Sequence, residues 1–255
     1  MVIAAIEQGD GRSIQTDGRI RLSGHDPLQF QVKLRWTLVE RDGQTEVTVA
    51  FSGRVPLAQR IYARTIQGML GLDLRYGLNR LARLLEPANA SHYAIEHLGI
   101  RNVAAQQYAY QTYSGAISGV ASAVQKGLAE VRSQLAKLKL APAGPALCVY
   151  ARTSVKSRST VCHMGYPLAL PEGAAAPSSL ATRKFPAHQA YALRLTGPYS
   201  ALEVAWYLAM QRMRTENLHM DQAIPPFERY LNEAGSVPEA EQVTELYIAV
   251  LPPRE

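Results

Sequence analysis

Cysteine is nearly absent from the 255 residues: Cys148 and Cys162 are the only two. They form no Cys-x-x-Cys and belong to no spaced Cys/His set, which excludes a zinc finger and a disulfide scaffold. Aromatic residues make up only 7% of the chain. Nowhere do 18 apolar residues run together, so no transmembrane helix is expected. The opening Met-Val-Ile-Ala-Ala-Ile-Glu-Gln-Gly-Asp has no basic segment and too short an apolar stretch for a signal peptide, and a cytoplasmic location is the expectation. Gly-x-Gly-x-x-Gly and the P-loop pattern are both missing, which argues against dinucleotide and phosphate chemistry. His163 and His188 have no Ser, Cys or Asp partner at triad spacing and are read as surface or core histidines. Neither a metal nor a cofactor is expected.

A surplus of charge is present but spread thinly. Lys and Arg number 27 against 21 Asp and Glu, a formal charge of +6. Residues 1–89 hold 12 basic and 9 acidic side chains and residues 90–255 hold 15 and 12, so each part carries +3. Nucleic-acid binders concentrate their positive charge on one stripe, because affinity follows the number of phosphates neutralised. The densest local group here is only Arg152, Lys156 and Arg158, followed by Arg183-Lys184, so a nucleic-acid partner is not expected.

The first part reads as sheet followed by helix. Arg19–Leu22 is a strand signal, and Leu28, Phe30, Val32, Leu34, Trp36 and Leu38 alternate at strict period two. Arg41-Asp42-Gly43-Gln44 is a turn before a second strand at 45–51, which makes a hairpin with one buried face. Leucine-rich helical spacing then runs from Leu57 to Glu86. Gly68, Gly71 and Gly77 interrupt it, suggesting close packing or a bend. The segment Glu86-Pro87-Ala88-Asn89-Ala90-Ser91 is the best boundary in the chain.

The second part reads as a repeat. Strands are expected at 93–98 and 103–108 around a turn at 99–102. A helix capped by Ser114 follows, carrying Ile117, Val120, Val124, Leu128, Val131, Leu135 and Leu138 on one face. Segments 147–152 and 160–166 form a hairpin turning near Val155, which sets Cys148 opposite Cys162. The order then recurs: a strand at 190–195, a helix from Gly197-Pro198-Tyr199-Ser200 to Thr215, and strands at 227–231 and 244–250. Tyr113-Ser114 and Tyr199-Ser200 both stand at a helix start, 86 residues apart. Residues 92–252 are therefore two copies of a strand-helix-strand-strand unit. A cleft between the two helices and the shared sheet is the natural place for a ligand.

Residues Phe185-Pro186-Ala187-His188-Gln189-Ala190-Tyr191, Thr196-Gly197-Pro198-Tyr199, Ala205-Trp206, Glu228-Arg229-Tyr230-Leu231-Asn232 and 243–250 together resemble the GyrI-like (AraC-type effector-binding) domain. The first part, through Phe30–Leu38, the Asp42–Val47 turn, Phe51-Ser52-Gly53 and the helix ending Leu84-Leu85-Glu86, is similar to the C-terminal half of the SRPBCC (START-like, polyketide cyclase) helix-grip fold. The resemblance implies an α+β chain: a truncated helix-grip module at 1–88 and a GyrI-like module at 92–252.

It also implies a site. The family's cleft carboxylate corresponds to Glu228, and Tyr230, two residues on, shares its strand face. A buried, unpaired carboxylate makes sense where a cationic ligand supplies the counter-charge or where a raised pKa serves proton transfer. Trp206 and Tyr207 cannot both face one side of their helix, so one is expected in the cleft and the other in packing. Tyr150 and Tyr166 are expected as the pseudo-symmetric wall. The leading reading is a binding module for a hydrophobic, cationic or planar small molecule, for sequestration, resistance or sensing, with homodimerisation left open. The alternative is a hydrolase of strained electrophiles, with Glu228 as general base and Tyr230 as its supporting donor. Protection of a topoisomerase through protein contact is a third class.

Overall fold

The computed structural model describes residues 2–8, 13–22, 28–54, 60, 63–85, 93–154, 157–170, 176–233 and 235–252. The chain divides into two compact units, 1–78 and 79–255. The expected helix start at Leu57, the boundary at 86–91 and the hairpin apex at Val155 lie outside the described residues.

The first unit holds a four-stranded antiparallel meander of β1 (Val2–Gln8), β2 (Ser13–Leu22), β3 (Leu28–Arg41) and β4 (Gln44–Arg54), followed in the chain by α1 (Ala63–Leu85), which runs past the unit's boundary at Leu78. β1 had no counterpart in the sequence reading, and β2 extends well beyond 19–22. The β3–β4 hairpin turns on Asp42 and Gly43 with φ of 51° and 73°. Positive φ at both positions matches the twist of the flanking strands, which is why Asp-Gly specifies a two-residue turn. Val32 and Leu34 are buried while Lys33 and Arg35 are exposed, as the alternation requires. The buried pair packs with Val49, Phe51, Leu70 and Leu74. A Cβ placed on Gly68, Gly71 or Gly77 would meet nothing within 4 Å, so close packing does not account for these glycines.

From Tyr93 onward, the described residues of the second unit form one antiparallel sheet with two α-helices. Its strands are β5 (Ala94–Val103), β6 (Gln106–Ala116), β7 (Ala146–Ser154), β8 (Ser159–Leu168), β9 (Thr182–Phe185), β10 (His188–Thr196), β11 (Phe227–Tyr230) and β12 (Val243–Ala249). The helices are α2 (Val120–Lys137), after β6, and α3 (Leu202–Thr215), after β10. In space the order is β5-β10-β12-β11-β7-β8-β6-β9. Outward from the central β7–β11 pair, β7-β8-β6 is matched by β11-β12-β10, so the duplicated unit is visible in the topology.

Three local expectations are corrected. Gly99 makes no turn: with φ +74° it sits at a bulge where β5 shifts register on β10, and β5 and β6 are not paired. Ser114 lies inside β6 and caps nothing; a 3₁₀ turn at Ile117–Gly119 leads into α2. The equivalent 3₁₀ turn before α3 is Tyr199–Ala201, so the repeat offset at the helix start is 82 residues. Finally, Cys148 pairs with Met164, and Cys162 pairs with Tyr150: the pairing of Ser154 with Ser159 centres the hairpin later than Val155, and the bulge between Tyr150 and Arg152 takes back only one residue of that displacement. Both cysteines are buried and free.

The sheet bends strongly. β9 and β10 lie six places apart in strand order, about 29 Å if the sheet were flat. Only Pro186 and Ala187 separate them in the chain, a span of about 10 Å at most. The two ends of the sheet are thus drawn together, and Val103, Phe185, Ala190 and Ala192 meet Tyr108, Leu147, Phe227 and Tyr247 in a core on the inner face. The other face carries α2, whose Val120, Val124, Leu128, Val131 and Leu135 pack on Cys148, Cys162, Met164, Tyr166 and Tyr230.

Candidate functional site

Alternation on β11 decides the site. Glu228 and Tyr230 point to the helix-covered face, Phe227 and Arg229 to the inner one. β11 is short, but it is hydrogen-bonded on both sides, to β7 and to β12, which fixes Glu228 opposite Cys148 and Leu246. The Glu228 side chain is 1% exposed. Its Oε1 accepts from the Tyr150 hydroxyl at 2.8 Å and from the Trp206 indole Nε1 at 2.7 Å. Its Oε2 accepts from the Tyr230 hydroxyl at 2.6 Å.

Every one of these donors is neutral, and among the described residues no Lys, Arg or His pairs with Glu228. Burial therefore raises the Glu228 pKa above the ordinary carboxylate value, and the hydrogen bonds from Tyr230, Trp206 and Tyr150 pull back in the other direction. The Tyr150 and Tyr230 hydroxyls are held far above their usual values, by burial first and then by the neighbouring carboxylate, so they remain donors. Tyr150 meets the Trp206 ring edge-on at 5.5 Å, and Tyr199 meets the Tyr230 ring edge-on at 5.5 Å. The result is a carboxylate floored by a sheet and walled by aromatic rings, of which Tyr150, Trp206 and Tyr199 remain partly exposed.

The profile of the GyrI-like small-molecule-binding domain matches residues 96–251. The chain belongs to the GyrI-like small-molecule-binding domain family. No curated protein matches it. Among solved structures, the EcmrR C-terminal domain is similar at 15% identity, covering 62% of this chain and 98% of that one, with a TM-score of 0.49. SAV2435 bound to tetraphenylphosphonium is similar at 12% identity over 62% and 94% of the two chains, TM-score 0.46. A hydrolase from Listeria innocua is similar at 14% identity over 67% and 98%, TM-score 0.41.

Within the GyrI-like domain, four of the six residues singled out from sequence meet at one point: Glu228, Tyr230, Trp206 and Tyr150. The other two have different surroundings. Tyr207 is buried in packing and accepts a hydrogen bond from Gln211 Nε2. Tyr166 is buried on the α2 side, with the Arg132 guanidinium 5.3 Å from its ring centroid. Tyr199 was legible only as the start of a helix. Its place against Tyr230 depends on the 3₁₀ turn that precedes α3.

Proposed function

We propose that the aromatic group around Glu228 captures an organic cation, or a planar apolar molecule bearing a positive charge, for sequestration, resistance or sensing. The observation that carries this reading is a carboxylate 1% exposed and bonded only to neutral donors among the described residues. Holding a charge there is costly, and a cation entering the site would supply the missing counter-charge. The faces of Tyr150, Trp206 and Tyr199 would add cation–π attraction. The modules are 92–252 for this function and 1–88 for the first, whose meander and helix support its reading as a truncated helix-grip fold.

The test is a fluorescence titration of the whole chain with a cationic aromatic dye and an uncharged dye of the same ring system. Glu228→Gln should weaken the cationic dye about ten-fold or more and the uncharged one less than two-fold, since the lost interaction is a charge-assisted one. Equal losses, or none, would remove Glu228 from the site.

One observation favours a hydrolytic reading as the alternative. Among the described residues Oε2 accepts one hydrogen bond against two at Oε1, leaving an acceptor position, and the raised pKa suits a general base. Turnover of an epoxide or cyclopropane that vanishes in Glu228→Ala would establish it. Binding without turnover would leave the capture reading standing.

A further inference from the structure

The inner face of the same sheet holds a second concavity that Glu228 does not touch. Its volume is about 490 Å³, within the range of small-molecule sites. Its walls combine apolar groups, Leu98, Val103 and Tyr247, with the arginines Arg101, Arg194 and Arg229. Among the described residues Glu245 is the only carboxylate in the lining, and it is committed: Arg194 Nη2 donates to its Oε1 at 2.8 Å and the Tyr247 hydroxyl donates to its Oε2 at 2.6 Å.

Arg229 stands differently. Its guanidinium lies 4.9 Å from the Tyr247 ring centroid and 5.6 Å from that of Phe227, and those two rings are themselves stacked 4.8 Å apart at 5°. Among the described residues neither Arg229 nor Arg101 has a carboxylate within ion-pair distance. The aromatic pair holds the Arg229 guanidinium by cation–π attraction without using up its N–H donors, and a guanidinium fork with free donors can receive a carboxylate with two hydrogen bonds. Gln106, on the same wall, has a buried amide nitrogen without a hydrogen-bond partner. The lining thus has donors and positive charge to spare, beside an apolar floor.

We infer that this inner-face cavity is a binding site for a small organic anion, a ring-sized apolar body bearing one carboxylate, held by Arg229 with Arg101 at the rim. The site shares a strand with Glu228 but not a face, so it selects the opposite charge from the one proposed there.

The experiment is calorimetric titration of the whole chain at low salt with 2-naphthoate and its neutral counterpart 2-naphthamide. Wild type should bind the naphthoate at least ten-fold more tightly than the amide, and its affinity should fall as salt is added. Arg229→Gln should lower naphthoate affinity about ten-fold or more. Arg101→Gln, at an exposed position, should lower it several-fold, and it carries the test if Arg229→Gln does not fold. Glu228→Gln should leave naphthoate affinity unchanged, which keeps this result separate from the cationic-dye titration. The inference is overturned if wild type does not bind 2-naphthoate, if it binds the amide equally well, or if both arginine variants bind like wild type.

Discussion

The Trp206 indole donates to the Glu228 carboxylate at 2.7 Å, joining the middle of α3 to the centre of the sheet across 22 residues of sequence. Tyr150 reaches the same oxygen from β7, 78 residues away in the chain. A carboxylate held by donors from a helix and two strands reports on whether all three are in place. The geometry therefore gives the donors a structural role.

Removing one donor should cost stability. Tyr150→Phe keeps the ring and deletes only the hydroxyl, so the loss should be about 1–3 kcal/mol, the cost of leaving a buried acceptor without its partner. Trp206→Phe should cost at least as much, because it also leaves space unfilled. Urea unfolding measures both. Losses below about 0.5 kcal/mol would mean that water replaces these donors freely and that Glu228 is less enclosed than its 1% exposure indicates.

Much of the fold was legible in advance, for identifiable reasons. Period-two alternation through Leu28–Leu38 and an Asp-Gly turn are local signals, and both strands formed as read. The spacing of Val120, Val124, Leu128, Val131 and Leu135 gave the buried face of α2. Glu228 and Tyr230 share a face by the pleat alone. What failed depended on partners distant in the chain. Gly99 carries a turn residue's signal, yet pairing with β10 used it for a bulge. The pairing of Ser154 with Ser159 centres the β7–β8 hairpin later than Val155, and a one-residue bulge in β7 only partly offsets this, so the cysteine register is displaced by two residues. β9, an edge strand of four residues, has no pattern long enough to read. Nothing local could decide that Trp206, and not Tyr207, turns to the carboxylate, because that choice is set by the roll of α3 on the sheet.

Gly165 offers a test of the fold alone. It sits in β8 between β7 and β6, and a Cβ built there would collide with the Ala109 carbonyl, 2.8 Å from its carbon and 2.9 Å from the Tyr110 Cα. These are backbone atoms of a paired strand and cannot swing aside. Gly165→Ala should lose about 3 kcal/mol or more, at the upper end of overpacking costs. At Gly119 the nearest atom belongs to the Tyr113 side chain, whose hydroxyl donates to the Ala116 carbonyl at 2.9 Å. That ring can move, so Gly119→Ala should cost about 1 kcal/mol, the worth of the hydrogen bond given up. Thermal melts of the two variants should differ clearly, and similar melts would contradict the β6–β8 packing.

The buried carboxylate also sets a pH dependence whose sign follows from its raised pKa. Between the ordinary value of 4.5 and the higher folded value, the folded chain keeps a proton on Glu228 that the unfolded chain has released. Raising pH through that window therefore draws the equilibrium toward unfolding, and above it the effect is constant. Measured against Glu228→Gln, which does not titrate, wild type should lose relative stability as pH rises from about 4.5 and then level off. A relative gain over the same range would mean that the three donors outweigh burial.

Cation capture should follow the same proton with the opposite consequence. A positively charged ligand needs the ionised form of Glu228, while the free protein favours the protonated form below its raised pKa. Binding in that range must therefore release a proton, and affinity for a cationic dye should rise with pH through the window and become flat above it. Titrations in two buffers of different ionisation enthalpy would measure the proton released: a fraction approaching one at the acidic end of the window and near zero above it. Glu228→Gln should show neither the slope nor the proton. A dye affinity that is flat with pH in wild type would place the cation away from this carboxylate.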